Sequence, residues 1–320
     1  MKNRADFRRG IYRVITFALA IAPIVWIFWR LDFSRLAEYI PKVAWWTIPV
    51  LCGFILLSTF LQGVRWWIML RSLAPGVQFM RTMSYHFIGV FYSIVLPTSA
   101  STDVVKTVLI SKKIDYSISW GATLVCRLLG FFTLVIFSIY GLCTIDRSFL
   151  PDGFWIALGT AFVLMALAGA LFFSKRLTSP LRPLAQKIVP AKLLSVIENL
   201  RQGIYLYRNK TGALFLLFIV TCVTQVTLVL MGCVTLYGVA GRFLLSEYFA
   251  FIPVIEIVAN AGPTPNGIGV REALTALFFK YIHVSNEQLG IYVFITLFFA
   301  IAVRLVGGIP VAHGIIKKRA

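Results

Sequence analysis

Eight ionisable side chains interrupt apolar stretches of this chain: Arg65, Asp103, Lys106, Arg127, Glu256, Arg271, Glu272 and Arg304. A charge in hydrocarbon costs a few kcal/mol on insertion scales, so each points to a role. Asp103 and Lys106 stand one helical turn apart, and Arg271 adjoins Glu272. Both clusters follow a break: Leu96-Pro97-Thr98-Ser99-Ala100-Ser101-Thr102 in one case, Asn260-Ala261-Gly262-Pro263-Thr264-Pro265-Asn266-Gly267-Ile268-Gly269 in the other. A helix starting after such a break presents unpaired N–H groups and the positive end of its dipole, which suits an anion such as a phosphate. Thr98, Ser99, Ser101 and Thr102 add hydroxyls at the first tip, and Asn266 with the Gly267 and Gly269 backbone adds donors at the second. Lys106, Arg127 and Arg271 could then pair with a phosphodiester. The plainer alternative makes Asp103 and Glu272 helix-start acids that pair locally with Lys106 and Arg271. Both can hold together, with an anion displacing an internal pair.

The remaining charges divide by position. Arg65 precedes Trp66-Trp67 and a loop, and is expected to snorkel to the membrane interface. Arg127 falls in the middle of an apolar run, where a buried partner or a ligand contact is expected; Glu256 and Arg304 are secondary candidates. Catalytic signals are thin. His86, His283 and His313 are far apart, and no HExxH, GxSxG or phosphate-loop pattern occurs. His86 is expected to be a satisfied buried histidine. The five cysteines lie in apolar segments without a CxxC pair, so neither a metal site nor a disulfide framework is indicated. No enzyme activity, cofactor or metal is expected.

The elements that must hold these residues follow from composition. Of 320 residues, 59% are hydrophobic and 13% charged, and mean hydropathy is +0.85. A soluble domain of this size buries only about 75% of the surface its unfolded chain exposes, too little to hide this much apolar area. Lipid must be the solvent, which excludes secreted and cytosolic enzymes and a disordered chain. The 31 Lys and Arg outnumber the 12 Asp and Glu. The positives flank the apolar runs, the pattern that orients a polytopic membrane protein, so nucleic acid is not an expected partner.

Full spans are expected over residues 14–29, 43–70, 116–143, 153–173, 211–237 and 291–316. Basic residues before residue 14 and Lys317-Lys318-Arg319 place both termini in the cytoplasm. Residues 174–210 carry eight basic residues against one acid, Glu198, and form the expected cytoplasmic loop, with an amphipathic helix over 191–207 on the bilayer surface. Two apolar regions, 82–113 and 249–283, contain the breaks. Proline and glycine clusters interrupt helices, and broken backbone at membrane depth survives only where protein or a polar cavity covers it. The flanking charges put both ends of the first region inside and both ends of the second outside. The expected fold is therefore an all-α polytopic membrane protein, about six full spans plus two oppositely oriented re-entrant hairpins, arranged as an inverted repeat. A long tilted span in place of either hairpin is the alternative. The chain reads as one integral membrane domain over 1–320, its first half ending near residue 143 and its last part beginning at residue 211.

At the two tips the chain resembles the flippase-like family named for the transmembrane region of lysylphosphatidylglycerol synthase. Leu96-Pro97, Asp103, Lys106, Arg127 and Gly130 carry the likeness early, and Pro263, Pro265, Gly267, Gly269, Arg271 and Glu272 carry it late. The chain departs from that pattern at Ser101-Thr102, where Gly-Gly is frequent, at Cys126, where an acid often stands, and at Asn266, often Gly. The soluble aminoacyl-transfer domain of the bifunctional synthase is absent, so lysyl transfer is not expected. The resemblance implies movement of lipids or lipid-linked sugars between leaflets, with some stand-alone members accompanying hopanoid or glycolipid pathways.

Together the residues and the resemblance lead to an expected lipid or lipid-linked-glycan translocator of the cytoplasmic (inner) membrane. An anionic headgroup would sit among Thr98, Ser101, Thr102, Asp103, Lys106, Arg127, Asn266, Arg271 and Glu272. The expected partners are an anionic lipid or lipid-linked substrate, the membrane itself, and an enzyme of lipid or glycan synthesis. The alternatives are a membrane enzyme or subunit modifying a lipid headgroup, and a non-transporting scaffold whose basic loop recruits a partner.

Overall fold

The computed structural model describes residues 40–94, 96, 100–145, 159–160, 163, 198, 201–261, 264 and 267–309. The expected spans at 14–29 and, apart from three isolated residues, 153–173 lie outside the described residues. The described residues form helices and no strand: α1 (Thr47–Leu73), α2 (Phe79–Tyr92), α3 (Ser101–Ser111), α4 (Tyr116–Thr144), α5 (Thr211–Ala240), α6 (Leu245–Ala261), α7 (Val270–Tyr281) and α8 (Asn286–Val306). Four of these, α1, α4, α5 and α8, are long and apolar enough to cross a membrane. Their outward positions carry large apolar groups such as Phe132, Phe215, Phe294 and Phe298, all exposed. Helices apolar on every side suit lipid as solvent.

The order long, short, short, long occurs twice. Every close packing pair within or between the two sets has a counterpart: α1–α2 with α5–α6, α2–α3 with α6–α7, α3–α4 with α7–α8, α1–α4 with α5–α8, α1–α8 with α4–α5, and α2–α8 with α4–α6. The pair α1–α5 is its own counterpart. The two helices run antiparallel. At one end Ala44 N–H donates to the Gly238 carbonyl at 3.0 Å and the Trp46 and Tyr237 rings lie 5.9 Å apart. At the other end Leu70 shares a buried cluster with Leu217. Gly238 permits this approach, because a Cβ there would collide with the Thr47 side chain.

Helix ends follow local chemistry. Asp115 caps α4, accepting from Ser117 N–H at 2.9 Å. Ser285 and Gln288 form a reciprocal capping box that starts α8 at Asn286, five residues before the expected 291. Gly241, at φ 68°, ends α5. The first broken region begins at Phe79 rather than residue 82, and the second at Leu245 rather than 249. Bulky side chains there pack on the long helices, Phe79 against the Trp67 ring of α1 and buried Tyr248 against Gly232 of α5, and extend each helix beyond the expected limit. Likewise α3 starts at Ser101, two residues before the expected Asp103.

Each short pair is a helical hairpin. The close approach of α2 to α3 occurs at Gly89, where a Cβ would sit 2.7 Å from the Thr102 carbonyl. In α6–α7 the Phe251 and Phe278 rings stack at 4.2 Å, and Arg242 donates to the Ile282 carbonyl at 2.5 Å, tying the far ends together.

Most of 191–207, where an amphipathic surface helix is expected, lies outside the described residues. Its end packs one face on the helical bundle. Ile204 and Tyr207 are buried, Gly203 meets the Gly121 backbone of α4, and the Tyr207 hydroxyl donates to the Ile118 carbonyl at 3.0 Å. The glycine pair lets two backbones touch. Burial pushes the Tyr207 phenol above its ordinary value.

Candidate functional site: a charged cavity between two hairpin tips

The tips of the two hairpins converge on one cavity of about 340 Å³ between the long helices. All eight charges singled out above line it. Around them stand hydroxyl and amide groups, among them Thr102, Gln225, Asn260 and Tyr292. A concave site of this size with few convergent polar groups is the usual form of a small-ligand site.

On the first wall, Asp103 sits in the first turn of α3 and accepts two cations. Lys106 Nζ lies 2.7 Å from Oδ1, and Arg127 Nη1 from α4 lies 3.3 Å from Oδ2. Lys106 is buried, and its ammonium also rests 5.1 Å from the Trp66 ring centroid. It is thus a held group, while Arg127 stays about a quarter exposed toward the cavity. Ser101 is buried and donates its hydroxyl to the Leu96 carbonyl at 3.1 Å, and Thr102 lines the cavity.

Arg65 does not snorkel. It lines the cavity, and its Nη2 donates to the Cys126 carbonyl at 2.7 Å. Gly130 makes room for it, since a Cβ there would come within 3.0 Å of Nη2. The helix leans its arginine inward because α4 offers a carbonyl and a glycine gap at that level, which the tryptophans beside it in sequence do not reveal.

On the second wall, Arg271 at the start of α7 reaches across to α6. Its Nε donates to Glu256 Oε1 at 2.8 Å and its Nη2 to Oε2 at 3.0 Å, a fork-on-fork pair. Asn260 Nδ2 donates to the same Oε2 at 3.1 Å and to the Glu256 carbonyl. The local Arg271–Glu272 pairing considered from sequence gives way to this long-range one. Glu272 instead turns back and accepts from the Gly269 N–H at 2.5 Å, closing the first turn of α7. Gly267 and Gly269 adopt φ of 74° and 85°, and a Cβ on Gly267 would lie 2.8 Å from Ala259 Cβ. Gly267→Ala should therefore lose about 1 kcal/mol or more of stability, read as a lowered melting temperature of the detergent-solubilised protein. An unchanged melting temperature would mean the tip does not hold this conformation. Arg304 of α8 lines the same cavity. Thr98 and Asn266 lie outside the described residues.

Glu256 and Arg65 are the residues that sequence reasoning ranked too low. Glu256 could have been raised by counting, because Arg271 has only Glu272 beside it and a buried helix-start acid is commonly consumed by the cap. His86, expected to be satisfied, is satisfied on one side only. Its Nε2 lies 3.0 Å from the Thr59 carbonyl, while Nδ1 is buried without a hydrogen-bond partner among the described residues.

No curated protein and no solved structure matches this chain. The family model of the lysylphosphatidylglycerol synthase TM region matches residues 13–308, nearly the whole length. With an all-helical bundle, membrane-length helices and the two charged tips in place, the chain belongs to the lysylphosphatidylglycerol synthase transmembrane-region family.

Proposed function

We propose that this integral membrane protein translocates an amphipathic lipid or lipid-linked glycan with an anionic headgroup between the leaflets of the cytoplasmic membrane. The observation that carries the reading is the gathering of all eight charges singled out above, five basic and three acidic, on one cavity between the hairpin tips. The headgroup enters this cavity while the acyl or isoprenoid tail stays in lipid. The two hairpins re-enter the bilayer from opposite sides, and both termini face the cytoplasm. The unequal packing of pseudo-symmetric pairs supports an alternating mechanism: α4 and α6 pack extensively, whereas their counterparts α8 and α2 touch sparsely. Exchanging which pair is closed would move the cavity opening from one side to the other.

The test is mass spectrometry of lipids that co-purify in mild detergent with wild type, Arg271→Ala and Asp103→Ala. An anionic lipid enriched on the wild type and lost from both variants is expected. That lipid should then cross between leaflets in proteoliposomes made with wild type and not with the variants. Bulk lipid composition on all three proteins would remove the headgroup role of the tips.

A further inference from the structure

The charges of the cavity are not shared evenly between its walls. Glu256, Arg271, Glu272 and Arg304, all from the second set of helices, balance to zero. Arg65, Asp103, Lys106 and Arg127, all from the first set, leave two positive charges uncompensated among the described residues. The three carboxylates are already committed. Asp103 takes Lys106 and Arg127, Glu256 takes Arg271, and Glu272 takes the Gly269 N–H. Arg65 therefore has no carboxylate partner among the described residues; its Nη2 bonds a neutral carbonyl, and its Nε is buried with no hydrogen bond. A guanidinium inside the bundle without a carboxylate partner is costly in a low-dielectric setting, so a visiting anion gains most at this wall.

Resting on the reading above, we infer that the anionic part of the headgroup seats on the α1–α3–α4 wall against Arg65 and Arg127, and that it carries two negative charges, as in a phosphomonoester or a diphosphate. Arg65 is the anchoring cation there, and Lys106 serves to hold Asp103. A phosphodiester with one charge would leave one positive charge of this wall unanswered. A phosphomonoester carries close to two charges at about pH 8, its second ionisation lying near pH 6.

The test measures binding at about pH 8 by native mass spectrometry of the full chain in detergent, with dioleoyl phosphatidic acid, dioleoyl phosphatidylglycerol and dioleoyl phosphatidylcholine. Wild type is expected to bind phosphatidic acid at least tenfold more tightly than phosphatidylglycerol. Arg65→Gln should bring that ratio close to one, and Arg65→Lys, which keeps the charge, should preserve most of it. Should Arg65→Gln fail to fold, Arg127→Gln removes a charge from the same wall and is expected to collapse the ratio likewise. Equal binding of the two anionic lipids to wild type, or a ratio unmoved by loss of either arginine's charge, overturns the inference and leaves the anionic-headgroup reading standing. If neither binds better than phosphatidylcholine, the anionic-headgroup reading itself falls.

Discussion

Glu256→Ala is expected to destabilise the protein by about 3 kcal/mol or more. The substitution leaves the Arg271 guanidinium without the carboxylate that takes two of its donors, at 2.8 and 3.0 Å. It also strips Asn260 of a side-chain acceptor. The cost is that of a guanidinium inside the bundle losing its carboxylate rather than the worth of one contact. Replacing both partners, Glu256→Gln with Arg271→Gln, should recover a substantial part, because the remaining amides can satisfy each other. Thermal and denaturant unfolding in one detergent would read both effects. A loss below about 1 kcal/mol for Glu256→Ala would show that the pair does not hold α6 to α7.

Gly141→Val should cost about 2 kcal/mol or more, by forcing apart α4 and α6, which pack extensively. The glycine lies against the backbone of Phe249 and Ala250, so an added side chain meets main-chain atoms that cannot swing aside. Beside it, the Phe137 and Tyr140 rings contact Phe249 at centroid distances of 5.9 and 5.8 Å. Gly53→Val, at a position with nothing within 4 Å of its Cβ, serves as the control and should change stability little. If α4–α6 closure is part of transport, Gly141→Val should also lose leaflet exchange in proteoliposomes while still retaining co-purified lipid. Unchanged unfolding of Gly141→Val would mean that α4 and α6 do not meet there.

Much of the architecture is legible in the sequence. The apolar runs became α1, α4 and α5 within four residues of expectation, since a largely apolar run of this length in lipid must satisfy its backbone internally. The last run became α8 shifted toward the N-terminus: it begins five residues early and ends at Val306, ten residues before the expected 316, where Gly307 and Gly308 turn beside the Phe87 backbone. The half-helices end at Tyr92 and Ala261 and begin again at Ser101 and Val270, on either side of the breaks read from sequence, and Gly267 and Gly269 adopt positive φ. The eight charges were also readable, since membrane burial makes each of them exceptional.

What lay beyond that reading was partnership. Arg271 passes over the adjacent Glu272 to reach Glu256, fifteen residues away, because the hairpin brings α6 and α7 face to face and the local acid is taken by the helix start. Arg65 turns inward to a carbonyl sixty-one residues distant, through a gap left by Gly130. The end of the basic segment packs into the bundle because Gly203 meets Gly121. Composition and periodicity decide which solvent a segment prefers and where a helix must stop, since those depend on neighbours in sequence. Which charge answers which, and on which wall a surplus collects, depends on contacts between distant helices, and only their packing in space decides it.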